Sequence, residues 1–184
     1  NRLEVVVLRA HLEIGDLVAW SRRFGAMRVA GRSDAQGTEL TLDGTAAVGR
    51  IEMPPGARHG VTAQFERLYL PESTSDAPPT AVDPAALPPI HFWARDARLG
   101  EAELGEIRIE TYPQGAGMHL ARIEANSPNL ELRGRGAGVV AAGVQHTTMD
   151  VTLLSCTPDQ TTDLFRRHVA ALKETALGCE HLVF

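Results

Sequence analysis

Residues 24–29 read Phe-Gly-Ala-Met-Arg-Val, and residues 104–109 read Leu-Gly-Glu-Ile-Arg-Ile, 80 positions further along the chain. Both stretches keep the glycine and the arginine, and both have apolar residues at the same three positions. A repeat at a fixed offset favours an architecture in which one supersecondary unit is used again. Chance similarity between two β-meanders is the alternative reading of the same pattern.

The same offset holds on both sides of this stretch. Asp16 matches Asp96 and Gly37 matches Gly117, and the similarity fades after Leu42 and its counterpart Arg122. The repeat therefore covers a unit larger than one strand, and the two copies are predicted to have the same local structure.

The pattern inside each copy is that of strands with one buried side. Residues 38–42 and 49–53 alternate apolar and polar side chains, with Asp43-Gly44 between them as a hairpin signal. The alternation slips near Glu66, and it slips again at Gly25 and Gly105. We predict a β-bulge at each of these three places, and recurrent bulges bend a sheet.

One helix is predicted near the C-terminus. Thr157-Pro158-Asp159-Gln160 forms a capping box with proline at the first helical position, and Gly178 is a C-terminal cap. The predicted fold is therefore mainly β, an antiparallel, bulged and curved sheet that is groove-forming or sandwich-like, with one amphipathic α-helix.

These elements divide the chain into five parts. The predicted parts are a first β-repeat unit (1–70), a proline-rich linker or loop (71–89), a second β-repeat unit (90–156), the helix (157–178) and the start of a further strand (179–184). The apolar run at the end suggests a segment of a longer protein.

Composition narrows the range of functions. The chain has 184 residues, 43% of them hydrophobic, and a net charge of -5 without a basic cluster, which argues against a nucleic-acid partner. Its two cysteines, Cys156 and Cys179, are too few for a disulfide scaffold or a thiolate zinc site. Because the predicted helix holds them apart, we expect both to be free thiols.

The sequence lacks motifs that carry chemistry. It contains no Gly-rich phosphate loop, no nucleophile elbow and no metalloprotease helix motif, and its seven histidines are scattered. We therefore predict no enzyme activity, no catalytic residue, no metal and no cofactor.

The apolar side chains that point to the same face of the predicted strands form the candidate binding surface. They would line a groove if the sheet is open, whereas Glu39, Thr41, Arg50 and Glu52 would point to water. The candidates are Leu40, Leu42, Ile51, Met53, Val61, Phe65, Ile107, Ile109, Met118 and Leu120.

Three stretches resemble the periplasmic part of YhdP-type proteins of the AsmA-like superfamily. They lie within residues 12–51, 65–90 and 104–134, and they include Thr-Leu-Asp-Gly-Thr at 41–45, Phe-Glu-Arg-Leu-Tyr-Leu-Pro at 65–71 and Leu-Gly-Glu-Ile at 104–107. The resemblance implies a long bent β-sheet enclosing an apolar groove, without catalytic residues. It also implies a parent protein that is anchored in the inner membrane, crosses the periplasm and moves phospholipid toward the outer membrane.

The sequence is compatible with two main functions. The first is a segment that carries phospholipid, or another acyl-chain ligand, along an apolar β-groove in the periplasm. The alternative is a non-catalytic structural or protein-interaction β-module with a closed core, because an ordinary β-sandwich shows the same alternation. The sequence does not identify a protein partner for either one.

Overall fold

The computed structural model describes residues 7–19, 22–56, 60–72, 86–115, 117–141, 144–155 and 180–183. Within them the chain is mainly β, and one sheet contains eleven strands. The strands are β1 (Leu8–Ala19), β2 (Arg22–Asp34), β3 (Gly37–Gly44), β4 (Ala47–Met53), β5 (Val61–Leu70), β6 (Ile90–Leu99), β7 (Ala102–Gln114), β8 (Gly117–Ser127), β9 (Leu130–Ala141), β10 (Val144–Ser155) and β11 (Glu180–Val183).

The strands follow one another across the sheet in chain order. All neighbours pair antiparallel except β5 and β6, which pair parallel, so the prediction of an antiparallel sheet was wrong at this one junction. The reason lies in the connections. Short turns force a hairpin, whereas the stretch 71–89 is long enough to return the chain to the opposite end of the sheet.

The repeat in the sequence is also a repeat of strand register. Leu12 pairs with Val29 in the first copy, and Phe92 pairs with Ile109 in the second, each 80 positions later. Likewise, Leu17 pairs with Gly25, and Ala97 pairs with Gly105. The β1–β2 ladder and the β6–β7 ladder are therefore equivalent, residue by residue, at these positions.

The three predicted bulges are confirmed. The register shifts beside Gly25 and beside Gly105, whose φ angles are 72° and 69°. Between β4 and β5, Gly49 pairs with Phe65 and Val48 with Arg67, which leaves Glu66 as the extra residue. Because bulges bend strands, their recurrence explains why this large sheet is curved.

Alanine at the two repeated glycines is expected to cost different amounts. Both positions have positive φ, which costs an L-residue about 1–2 kcal/mol. A Cβ at Gly25 meets only Thr45 Oγ1, at 3.8 Å, whereas a Cβ at Gly105 would lie 2.1 Å from the backbone oxygen of Asn126. Gly105→Ala should therefore lower the free energy of unfolding clearly more than Gly25→Ala, as measured by urea denaturation. Equal losses would contradict this account.

The sheet is open and forms a single layer. Its buried apolar residues fall into two clusters, one on β2–β6 and one on β8–β10, and the partly buried Leu104 and Ile107 pack against both. Among the described residues, β1 and β11 lie at opposite edges and do not pair with each other. The sandwich-like form of the prediction is therefore not what this part of the chain adopts.

Several predictions fall on residues outside the described ranges. These are the helix at 157–178, both cysteines and residues 73–85 of the proline-rich stretch. No helix occurs in the described part. Within it, accordingly, no helix has the length and hydropathy needed to cross a membrane.

Candidate functional site

A row of apolar residues crosses the sheet at one level. Residues directly opposite each other on neighbouring strands carry their side chains on the same face of a sheet. Following the register from β1 to β9 therefore gives one residue per strand, each apolar or glycine. This first row consists of Leu12, Val29, Leu42, Gly49, Phe65, Ala94, Ile107, Ala125 and Leu132.

A second row lies two residues away along each strand and has the same character. It runs from β1 to β10 and again contains only apolar residues and glycine. Its members are Ala10, Gly31, Leu40, Ile51, Ala63, Phe92, Ile109, Ile123, Gly134 and Val151. The side of the sheet that carries both rows is called the apolar face below.

A third row, two residues beyond the second along each strand, brings polar groups onto the apolar face. There Ser33 lies opposite Thr38, and their hydroxyl oxygens are 2.9 Å apart. Thr111 lies in the same row, between Ile90 and Leu120, and its buried hydroxyl has no hydrogen-bond partner among the described residues. The apolar face therefore carries hydroxyl groups along this margin.

The structure places all ten candidate residues on the apolar face. Leu42, Phe65 and Ile107 are in the first row, and Leu40, Ile51 and Ile109 are in the second. The third row holds Met53, Val61 and Leu120, and Met118 lies next to it, opposite Pro113 and Gly138. Their contact with a ligand remains a prediction.

Sequence reasoning missed several members of these rows. Phe92 and Ala94 have the right alternation on β6, but the aromatic Trp93 between them obscures that alternation, and alanine is a weak hydrophobic signal. Ile123 follows a register shift after Leu120, which breaks the alternation that would have identified it. The pairing of β8 with its neighbours was needed to place it.

The apolar face contains both closely packed, buried side chains and accessible ones. Ala94 is fully buried, and the Phe65 ring packs against that of Phe92 with their centroids 5.8 Å apart. Leu42, Ile51 and Ile109 are only half-buried, and no second sheet or helix covers them in the described part of the chain. Hydrophobic surface is therefore available to a ligand.

The opposite face is charged and ion-paired. Arg50 lies 3.0 Å from Glu52, Arg95 lies 3.1 Å from Glu66, and Arg133 lies 2.7 Å from Glu131. Glu39 and Thr41 are exposed on this face as well. Such exposed pairs contribute little stability, about 0–1 kcal/mol each. Their main effect is to keep one side of the sheet in water.

One carboxylate on the charged face, that of Glu106, has a lowered pKa. Trp93 Nε1 donates to Glu106 Oε1 at 2.8 Å, and Arg108 donates to the same oxygen at 2.8 and 3.1 Å. The tryptophan hydrogen bond, followed by the arginine, lowers the pKa of Glu106 from its ordinary value. Because the folded-state pKa is the lower one, the stabilisation is complete above the unfolded-state pKa of about 4.3 and is lost as the pH falls.

Glu106→Gln is therefore expected to destabilise the protein at neutral pH and to have a smaller effect in acid. The amide still accepts a hydrogen bond from Trp93, but it lacks the charge that Arg108 pairs with. Urea denaturation of both proteins, at about pH 7 and about pH 3, checks this. A difference between the two proteins that grows on acidification would contradict it.

The described residues do not hold three or more histidine, cysteine, aspartate or glutamate side chains positioned to bind one metal ion. The geometry therefore offers apolar contact along a continuous face and, in the described part, no assembled metal centre.

Comparison with known proteins gives one match. The sequence model of a family described as YhdP protein matches residues 3–163. No curated protein and no solved structure matches the chain. The family match covers β1 through β10.

Proposed function

Because this chain belongs to the YhdP protein family, we propose that it carries phospholipid by holding the acyl chains against its apolar face. The observation that supports this most directly is the continuity of the first two rows, which contain no polar side chain over nine and ten strands. A lipid could then move from strand to strand without crossing a polar barrier.

The length of the apolar face suits an acyl chain. Neighbouring strands lie about 4.8 Å apart, so eight steps across the first row extend roughly 38 Å. That exceeds the hydrocarbon thickness of a whole bilayer, about 30 Å, and hence the depth of one leaflet. Burial of each methylene contributes about 0.8 kcal/mol, so ten methylenes supply about 8 kcal/mol before the costs of association. An acyl chain therefore needs no polar anchor to bind here.

The lining residues we propose are Leu40, Leu42, Ile51, Met53, Val61, Phe65, Ile107, Ile109, Met118 and Leu120. The acyl chains would lie on the first two rows, and the headgroup would project toward the third, where Ser33 and Thr38 supply hydroxyls. In this arrangement the lipid is bound by shape and hydrophobicity, without catalysis and without a cofactor.

The family resemblance supports a proposal for the cellular setting as well. We propose that the chain works in the periplasm as part of a protein anchored in the inner membrane, between that membrane and the outer one. A face that shields acyl chains from water suits transfer across an aqueous compartment, since each exposed methylene would otherwise cost about 0.8 kcal/mol.

Native mass spectrometry after gentle purification tests the proposal. A mass increase that corresponds to bound phospholipid, removed by delipidation and restored on incubation with phospholipid vesicles, is the expected result. A clean apo mass before and after vesicle incubation would overturn it. The structural or protein-interaction module would then be the better account of the sheet.

A further inference from the structure

An open groove crosses β5, β6 and β7 on the charged face of the sheet, the side away from the apolar rows. Its volume is about 340 Å³, which lies near the lower limit of small-molecule sites, about 300 Å³. Two rows of charged-face side chains line it. One row consists of Thr62, His91 and Glu110, and the other of Gln64, Trp93 and Arg108.

Two aromatic side chains lie at this groove. Trp93 Nε1 donates to Glu106, and the guanidinium carbon of Arg95 lies 5.8 Å from the centroid of the Trp93 ring. These contacts hold the indole in one orientation, so little side-chain entropy is lost when a ligand packs against it. Tyr112 is exposed beyond one end of the groove, and its ring meets that of His91 edge-on, with the centroids 5.5 Å apart.

The first copy of the repeat shows that the sheet does not need these two aromatic residues. The counterpart of Trp93, 80 positions earlier, is Glu13, which lies opposite Arg28 and 3.7 Å from its guanidinium. The counterpart of Tyr112 is Arg32. An equivalent strand ladder therefore forms with charged residues at both positions, and the aromatic rings of the second copy are available for another role.

The charged side chains of the groove already have partners within the protein. Arg108 lies 2.8 Å from Glu106, and Glu110 lies 3.9 Å from Arg122. An anionic or cationic ligand would have to compete with these carboxylates or guanidinium groups. The balance of charge therefore favours a neutral ligand.

The neutral side chains of the groove can form further hydrogen bonds. Thr62 has a hydroxyl that can donate and accept, and Gln64, whose Oε1 accepts from Arg50 Nη2 at 3.3 Å, keeps its amide hydrogens among the described residues. Main-chain groups do not take part, because β5, β6 and β7 each pair with a strand on both sides. An added peptide strand is thereby excluded here, and a ligand would be recognised by side chains.

We propose that this groove binds a neutral glycan through its pyranose rings. A pyranose has C–H bonds on its faces, which pack on an aromatic ring, and hydroxyls around its edge, which donate and accept hydrogen bonds. One ring would stack on Trp93 and bond to Thr62, Gln64 and Glu110. Tyr112 lies about 14 Å further along the strand direction, four residues at about 3.4 Å each, so a chain of linked sugars would reach it. This site goes beyond lipid binding and does not depend on it.

Tryptophan fluorescence measures binding at the site itself. The sequence has two tryptophans, so Trp20→Phe leaves Trp93 as the single reporter. The probes are three neutral tetrasaccharides: cellotetraose, tetra-N-acetylchitotetraose and maltotetraose. At least one of them should shift the Trp93 emission in a saturable way. If none does so with a protein whose thermal unfolding is normal, the proposal is overturned.

Isothermal titration calorimetry of variants, with the tetrasaccharide that binds, tests the roles of individual side chains. Trp93→Ala should weaken binding roughly tenfold or more, because the stacking surface is removed. Gln64→Ala and Tyr112→Ala should each weaken it about threefold to tenfold, the effect of one hydrogen bond or one ring contact. Both of these positions are exposed, so the variants should remain folded. Thr41→Ala, on the charged face outside the groove, is the matched control and should bind normally.

Two further results would contradict the proposal. Unchanged affinity of both Gln64→Ala and Tyr112→Ala would mean that the sugar binds elsewhere on the protein. Tighter binding of an anionic tetrasaccharide, tetragalacturonate, than of every neutral one would mean that the groove is an anion site, with its arginine released from the carboxylate that now pairs with it.

Discussion

Leu42→Arg and Ile109→Arg are each expected to reduce binding of a fluorescent phospholipid at least tenfold while leaving the protein folded. Each side chain is half-buried in the first or second row, and the described part of the chain has no layer above it. A guanidinium at either position can extend to water along its aliphatic stem, so the sheet tolerates it. The charge nevertheless interrupts a row that an acyl chain must follow, because ions are poorly solvated by hydrocarbon.

The measurement pairs lipid titration with thermal unfolding of each variant. Thr41→Arg is the matched control, since Thr41 neighbours Leu42 on the same strand but is exposed on the charged face. It should keep both lipid binding and stability. If both apolar-face variants instead unfold or aggregate, the arginines are being buried without a partner. A closed core would then replace the open face as the account of these residues.

Local features of the fold could be predicted because local sequence encodes them. The slip of alternation at Gly25 and Gly105 predicts a bulge without knowledge of the rest of the chain, since only the parity of adjacent side chains is needed. The same parity placed Leu40, Leu42 and Ile51 together on one face. The offset of 80 residues then predicts equivalent registers in both copies, and the structure has them.

Strand order and the extent of the apolar face could not be predicted in this way. Whether β6 pairs with β5, and in which direction, depends on where the chain returns after residues 71–89, and the strand residues themselves do not encode that path. The first row likewise cannot be identified before the pairing of the strands is known. Gly49, Ala94 and Ala125 are weak hydrophobic signals alone, yet each fills one place in a continuous apolar surface.

The place where the two copies meet is also where stability should be most sensitive. Phe65 is 5% exposed on β5 and lies between two small residues of the first row, Gly49 on β4 and Ala94 on β6. A Cβ on Gly49 would approach the Phe65 ring to 2.5 Å, and Ala94 is 0% exposed. The ring therefore occupies space that its neighbours leave free, and it does so at the parallel junction.

Phe65→Ala is expected to lower the free energy of unfolding by about 3–5 kcal/mol, the usual loss for a buried phenylalanine. This is a large share of the roughly 5–15 kcal/mol that stabilises a domain. Guanidinium denaturation measures the change, and Tyr112→Ala, at an exposed aromatic residue on β7, is the control with little expected effect. The double variant Phe65→Ala/Ala94→Phe returns the lost volume from the opposite strand and should recover part of the stability, because volume-conserving exchanges in a packed cluster are tolerated best. A loss below about 1 kcal/mol for Phe65→Ala would mean that the two repeat units are held together by their backbone ladder, with little contribution from the apolar face.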